Sequence, residues 1–193
     1  MEKGLLGFLL VVFLTSCAMP ETRTYSLHMP DPGSGASSAK TDASVAVVID
    51  SPKYLSQPYI AYRNSPYELM ISRYSKWDSS PEDIVKDGFR DALSSLGLFK
   101  NVRASDVVPS GYYRLTINLK KFERSDEGDS SFSDLALDVT LVSPEGKSLY
   151  RNTVSKRVKL ADRSFLSLAK GLSGALAEGI EEVRVNVEKS LRQ

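Results

Sequence analysis

The chain has 193 residues, and its 25 Lys and Arg against 24 Asp and Glu leave a formal net charge of +1. That balance gives no bulk attraction to nucleic acid or to an anionic bilayer, so no nucleic-acid partner is expected. One cysteine and one histidine exclude an internal disulfide and leave too few soft ligands for a transition-metal site, so no cofactor is expected.

Met1-Glu2-Lys3 precedes an apolar run from Gly4 to Leu14, which ends in Leu14-Thr15-Ser16-Cys17. Charged start, apolar centre and small-residue exit predict a secretory signal peptide over residues 1–16. The run is about half the roughly 20 residues that span a bilayer, so it is too short for a transmembrane anchor. Leu-Thr-Ser-Cys resembles the lipobox of bacterial lipoproteins. The resemblance implies that Cys17 becomes the first residue, with two ester-linked acyl chains and usually a third on its amine. Ala18 rather than Asp follows. By analogy with enteric sorting, this implies the outer membrane, with the domain facing the periplasm.

Residues 17–43 are read as the lipidated cysteine, a tether, a first strand over 24–28 that joins the domain, and a flexible loop. Ala18 to Arg23 is six residues, at most about 20 Å when extended. Residues 44–193 are read as the domain proper. Ser44–Asp50 is β-branched and bounded by turn formers, the pattern of a buried strand. Tyr59–Arg63 and Tyr67–Tyr74 flank Asn64-Ser65-Pro66 as a hairpin. Ser80, Pro81, Glu82 and Asp83 predict a helix start, with Val85, Phe89, Ala92, Leu93 and Leu96 as its apolar face and Gly97 as its stop. Leu98 to Val102 holds another short strand. Gly111–Glu123, the segment around Leu135–Leu141, and Ser148–Leu160 read as long strands, with Ser125–Ser131 as a polar loop and Pro144-Glu145-Gly146 as a turn. Phe165, Leu168, Leu172, Leu176, Ile180, Val183, Val187 and Leu191 form a helical stripe that starts from about Ser164. The predicted fold is α+β: a mostly antiparallel sheet with two amphipathic helices on one face.

Catalytic patterns are weak. Gly171-Leu172-Ser173-Gly174 lacks the spacing of a nucleophile elbow, and His28 stands beside the tether. Asp126, Glu127 and Asp129 lack the spacing of a calcium loop and read as a solvated turn. Lys120, Lys121, Lys156, Arg157 and Lys159 read as a solvated basic face. An envelope hydrolase would need a nucleophile and a base on ordered elements, so the protein is read as not an enzyme. Ser51 to Trp77 is less ordinary. It holds six tyrosine and tryptophan residues beside Arg63 and Arg73, the residue types enriched at interface hot spots. Tyr54, Tyr62, Arg63 and Trp77 are the candidate partner-binding residues. Tyr62 and Arg63 should point to opposite faces of their strand, so at most one should be core.

Val45-Ala46-Val47, Pro52-Lys53-Tyr54-Leu55, Pro58-Tyr59-Ile60, Tyr62-Arg63 and Trp77 before a helix resemble the ABC-type transport auxiliary lipoprotein family, which includes the lipoprotein of Pqi-type lipid transport systems. The resemblance runs roughly from Tyr25 to Leu191. It implies a non-enzymatic docking subunit at the outer membrane. The implied partner is an MCE-domain protein of an ABC-transporter-linked lipid pathway between the two membranes. The family is reported as ring-forming, so a homo-oligomer is also implied. The alternative is a lipopolysaccharide-assembly lipoprotein that plugs or supports an outer-membrane β-barrel. Its gross architecture is similar, but the Tyr54-Leu55 to Trp77 motif favours the first reading.

Overall fold

A computed structural model describes residues 21–29, 41–95 and 97–192. The signal peptide, Cys17, most of the loop expected before Asp42, and Leu96 lie outside the described residues. Ten elements follow in chain order: β1 (Arg23–Tyr25), β2 (Thr41–Asp50), β3 (Tyr59–Ser65), β4 (Glu68–Trp77), α1 (Pro81–Ser95), β5 (Phe99–Ala104), β6 (Tyr113–Glu127), β7 (Ser130–Val142), β8 (Ser148–Lys159) and α2 (Phe165–Leu191).

The strands form one sheet in the order β1-β4-β3-β6-β2-β5, with β7 on the other side of β6 and β8 beyond it. The sheet is mixed rather than mostly antiparallel. The β3–β4, β6–β7 and β7–β8 pairs are antiparallel, whereas β1–β4, β2–β5, β2–β6 and β3–β6 are parallel. Alternating hydrophobicity reports a half-buried strand, which favours antiparallel neighbours but does not require them.

The central strand is β6. One edge pairs with β7 along its length. The other edge is shared: residues 113–118 pair with β2 and residues 123–125 with β3. β2 and β3 therefore lie end to end, interrupted by the proline-broken loop 51–58. Where that loop stands off, β6 carries a bulge between Leu119 and Lys121. A bulge inserts one residue and reverses which parity faces the core. Leu115, Ile117 and Leu119 are buried before it, and Phe122 and Arg124 on the same face after it.

Both helices cover one face. Ser80 caps α1, its Oγ accepting from the Asp83 amide at 3.1 Å and donating to the Asp83 carboxylate at 2.7 Å. Val85, Phe89 and Leu93 face inward as their spacing predicts. Ser164 caps α2 by accepting from the Ser167 amide at 3.1 Å, and Leu168, Leu172, Leu176, Val183 and Val187 are buried. Gly171 lets α2 approach the sheet. A Cβ there would lie 2.7 Å from both Leu160 Cδ2 and Ser133 Oγ. Apolar burial of this kind contributes about 1.5–3 kcal/mol per large side chain, so this single core is what holds the layers together.

The expected strand over 24–28 is shorter, and it joins the sheet as β1. The chain then leaves the sheet and crosses the helices as a strap. The His28 amide donates to Ser173 Oγ at 3.1 Å, and Met29 fills the space that a side chain at Gly88 would need. The predicted polar loop over 125–131 is instead strand on both sides of a two-residue turn. Glu127 pairs with Ser130, and Gly128 has a φ of 57°, the conformation a tight hairpin requires at its first central position.

Candidate docking site

The aromatic segment and the bulge of β6 converge on one buried carboxylate. Glu123 follows the bulge on the sheet face away from the helices, and it is fully buried. Arg63 of β3 donates from Nε to Glu123 Oε1 at 2.7 Å. Tyr54, in the loop between β2 and β3, donates its hydroxyl to Glu123 Oε2 at 3.2 Å and lies 3.4 Å from the Lys120 carbonyl. A buried carboxylate is stable only with such partners. Burial first, then the neighbouring Glu123 charge, push the Tyr54 hydroxyl up to about 12. The phenol is thus fixed as a hydrogen-bond donor. The same loop fastens α1: Leu55 is buried, its carbonyl accepts from the Glu82 amide at 3.1 Å, and Ser51 donates to the Glu82 carboxylate at 2.6 Å.

On the helix side, Tyr62 and Arg124 are register partners. The Arg124 guanidinium stacks between Tyr62 at 5.0 Å and Phe165 at 5.1 Å. It donates to Asp126 at 2.9 Å and to the Arg163 carbonyl, and Ser131 donates to the same Asp126 at 2.5 Å. This set ties the end of β6 to the first turn of α2.

The four sequence candidates therefore separate. Tyr62 and Arg63 do point to opposite faces. Tyr62 packs under α2, and Arg63 serves Glu123 while about a quarter of its side chain stays exposed. Tyr54 is half-buried on the same carboxylate. Trp77, 1 % exposed and edge-on to Phe122 at 5.4 Å, belongs to the core and not to any surface. Three of the five residues of the expected basic face are paired with carboxylates. Lys120 pairs with Asp138, Lys156 with Glu182, and Arg157 with Glu127 and Asp134. Sequence reading missed Glu123, Arg124 and Asp126 as buried groups. The signal was present, because Leu119 and Phe122 are three apart where a regular strand requires two.

An open groove of about 370 Å³ lies over the Arg63–Glu123 pair, between the β3–β4 and β6–β7 turns. Lys121, Ser125, Asp134 and Arg157 line it from the sheet, and Asn64 and Pro66 from the hairpin. It offers side-chain charges of both signs beside Pro66, which suits a mixed-charge segment of another chain. Among the described residues no cluster of three His, Cys, Asp or Glu could hold a metal ion. No helix of the described residues is long and apolar enough to cross a membrane.

Residues 25–183 match the model of the family described as ABC-type transport auxiliary lipoprotein component. The chain belongs to that family. Its fold is similar to a Xanthomonas campestris protein assigned to family DUF330, with a TM-score of 0.72 at 17 % identity over 88 % of this chain and 99 % of that one. It is also similar to an uncharacterized protein, at 0.67 and 16 % over 86 % and 99 %. A hypothetical protein of Chlamydia trachomatis gives 0.51 at 9 % identity, over 78 % of this chain and 98 % of that one. At such identities the likeness concerns the fold alone. No curated protein sequence matches.

Proposed function

We propose that the protein is a non-enzymatic docking subunit of an ABC-transporter-linked MCE lipid transport system, held at the outer membrane by acyl chains on Cys17 and facing the periplasm. The observation that carries this reading is the family match over residues 25–183, which begins eight residues after the lipobox cysteine. The architecture supports it in two ways. β1 builds the tether into the sheet edge, so the domain is held close to the bilayer and pulls on the anchor load the core. The sheet face without helices carries an open, charge-lined groove over Glu123, a buried carboxylate that the partly exposed Arg63 holds. We assign docking to this groove, since Trp77 and Tyr62 are turned inward. The partner is an MCE-domain protein, and a homo-oligomer is compatible with the outer edge of β8, which among the described residues pairs with β7 alone.

Co-purification tests the reading. The intact lipidated chain, captured from detergent-solubilised envelopes, should bring down an MCE-domain protein, and Lys121→Glu in the groove should weaken that capture without loss of folded protein. Capture of an outer-membrane β-barrel of lipopolysaccharide assembly in its place would overturn it.

A further inference from the structure

We propose that one end of the domain rests on the bilayer itself, with Tyr67 and Leu166 inserted at the lipid–water interface. The inference deepens the tether reading above and rests on acylation of Cys17.

Strand direction fixes which end faces the anchor. β1 runs parallel to β4, with Arg23 opposite Ser75. The chain upstream of Arg23 therefore enters from the end where β4 begins. That end carries the β3–β4 turn at Pro66-Tyr67, the β6–β7 turn at Gly128-Asp129, and the start of α2, which Arg163 joins to the Gly128 carbonyl. From Ser75 back to Tyr67 is about 27 Å at strand rise. Cys17 to Arg23 reaches at most about 20 Å. The hairpin tip is thus at least as far from Arg23 as the acylated residue can be. Once Cys17 sits at the interface below this end, the tip meets the bilayer.

The exposed apolar side chains agree with this orientation. Tyr67 is 95 % exposed and Leu166 55 % exposed, and Val158 lies at the same end, next to the last residue of β8. Of the other exposed large apolar residues, Ile71, Tyr59, Tyr74 and Val107 lie farther along. Tyrosine suits the headgroup level because its ring is apolar and its hydroxyl stays wet. Electrostatic attraction is not the driving force. Glu68, Glu127 and Asp129 stand at this end beside Arg157, Lys159 and Arg163, and Glu127 is paired with Arg157 at 2.6 Å. The contact is apolar and local, and two acyl chains already supply stable attachment. What the hairpin adds is a fixed orientation, with the polar groove held beside the membrane and not turned at random on a tether.

The test uses the intact lipidated protein in vesicles of phosphatidylethanolamine and phosphatidylglycerol, with and without brominated acyl chains. The chain has one tryptophan, and Trp77 is buried in the core, so the wild type supplies an unquenched baseline. Flotation with the vesicles reads the anchor. Tyr67→Trp should give blue-shifted emission that brominated lipid quenches, whereas Val107→Trp should stay unquenched. Flotation without quenching of the Tyr67→Trp chain would overturn the hairpin contact and leave the anchor standing. Blue-shifted emission indifferent to bromination would place a second copy or another protein on the tip and overturn the proposal. A wild-type chain that fails to float would remove the anchor and the proposal together.

Discussion

Glu123 decides how the least exposed charges of the outer face behave. Removing Arg63 leaves that buried carboxylate short of its closest donor, which costs about 1–3 kcal/mol. Arg63→Ala should therefore lower the denaturant midpoint of the chain from residue 18 onward. Adding Glu123→Gln should recover part of the loss, because a neutral amide is cheaper to bury. Equal midpoints for the single and double variants would mean that water already satisfies Glu123. Tyr54 reports on the same site through pH. Its folded value of about 12 exceeds the ordinary tyrosine value of 10.0. Above about pH 10 the unfolded chain releases the phenol proton while the folded chain keeps it, so stability falls as pH rises from about 10 to about 12. Below pH 10 the contribution is fully present. Tyr54→Phe should shallow the alkaline loss across that window in melts followed by circular dichroism. An unchanged alkaline slope would place the hydroxyl in water.

The helices and strands were legible to the extent that one periodicity governs one environment. The stripe from Phe165 to Leu191, with its start near Ser164, corresponds directly to α2, because a helix that covers a sheet needs only its inward face to be apolar. Leu176 is fully buried, so Leu176→Ala should cost about 2–5 kcal/mol, read as a lowered denaturant midpoint. An unaffected midpoint would mean the helix relaxes away from the sheet. Gly171→Ala adds only one carbon, yet that carbon meets the Ser133 and Leu160 side chains at 2.7 Å. It should destabilise the fold, against the roughly 1 kcal/mol gain in helix propensity expected of Ala over Gly. A raised melting temperature would show that α2 has slack. What the sequence hid were the parallel pairings and the phase change in β6. Parallel neighbours such as β2 and β6 lie far apart in the chain, so no turn residue announces them. The bulge that buries Glu123 is visible only as a three-residue step from Leu119 to Phe122. The same limit hid which of the four docking candidates reach the outer face. Tyr62 and Trp77 have interface chemistry, but which side of a strand is covered depends on where α2 lands.

At the scale of the whole molecule, β1 and the strap after it fasten the N-terminal segment to the sheet edge and to both helices. β1 pairs with β4, and Met29 lodges between α1 and α2 beside Gly88 and Ile180. Cys17→Ser should abolish acyl labelling and release the chain from the membrane fraction while leaving the fold intact, since β1 and the strap lie downstream of the anchor. Wild-type chain found solely in inner-membrane fractions would contradict the outer-membrane assignment. The central claim is that a lipid-held domain presents its groove to a transport partner. A photo-crosslinking residue at Lys121, in the intact lipidated chain within living cells, tests it most directly. The account predicts a crosslink to an MCE-domain protein that weakens when Cys17 is replaced. A crosslink to a lipopolysaccharide-assembly β-barrel, or no crosslink from a folded and correctly localised chain, would contradict it.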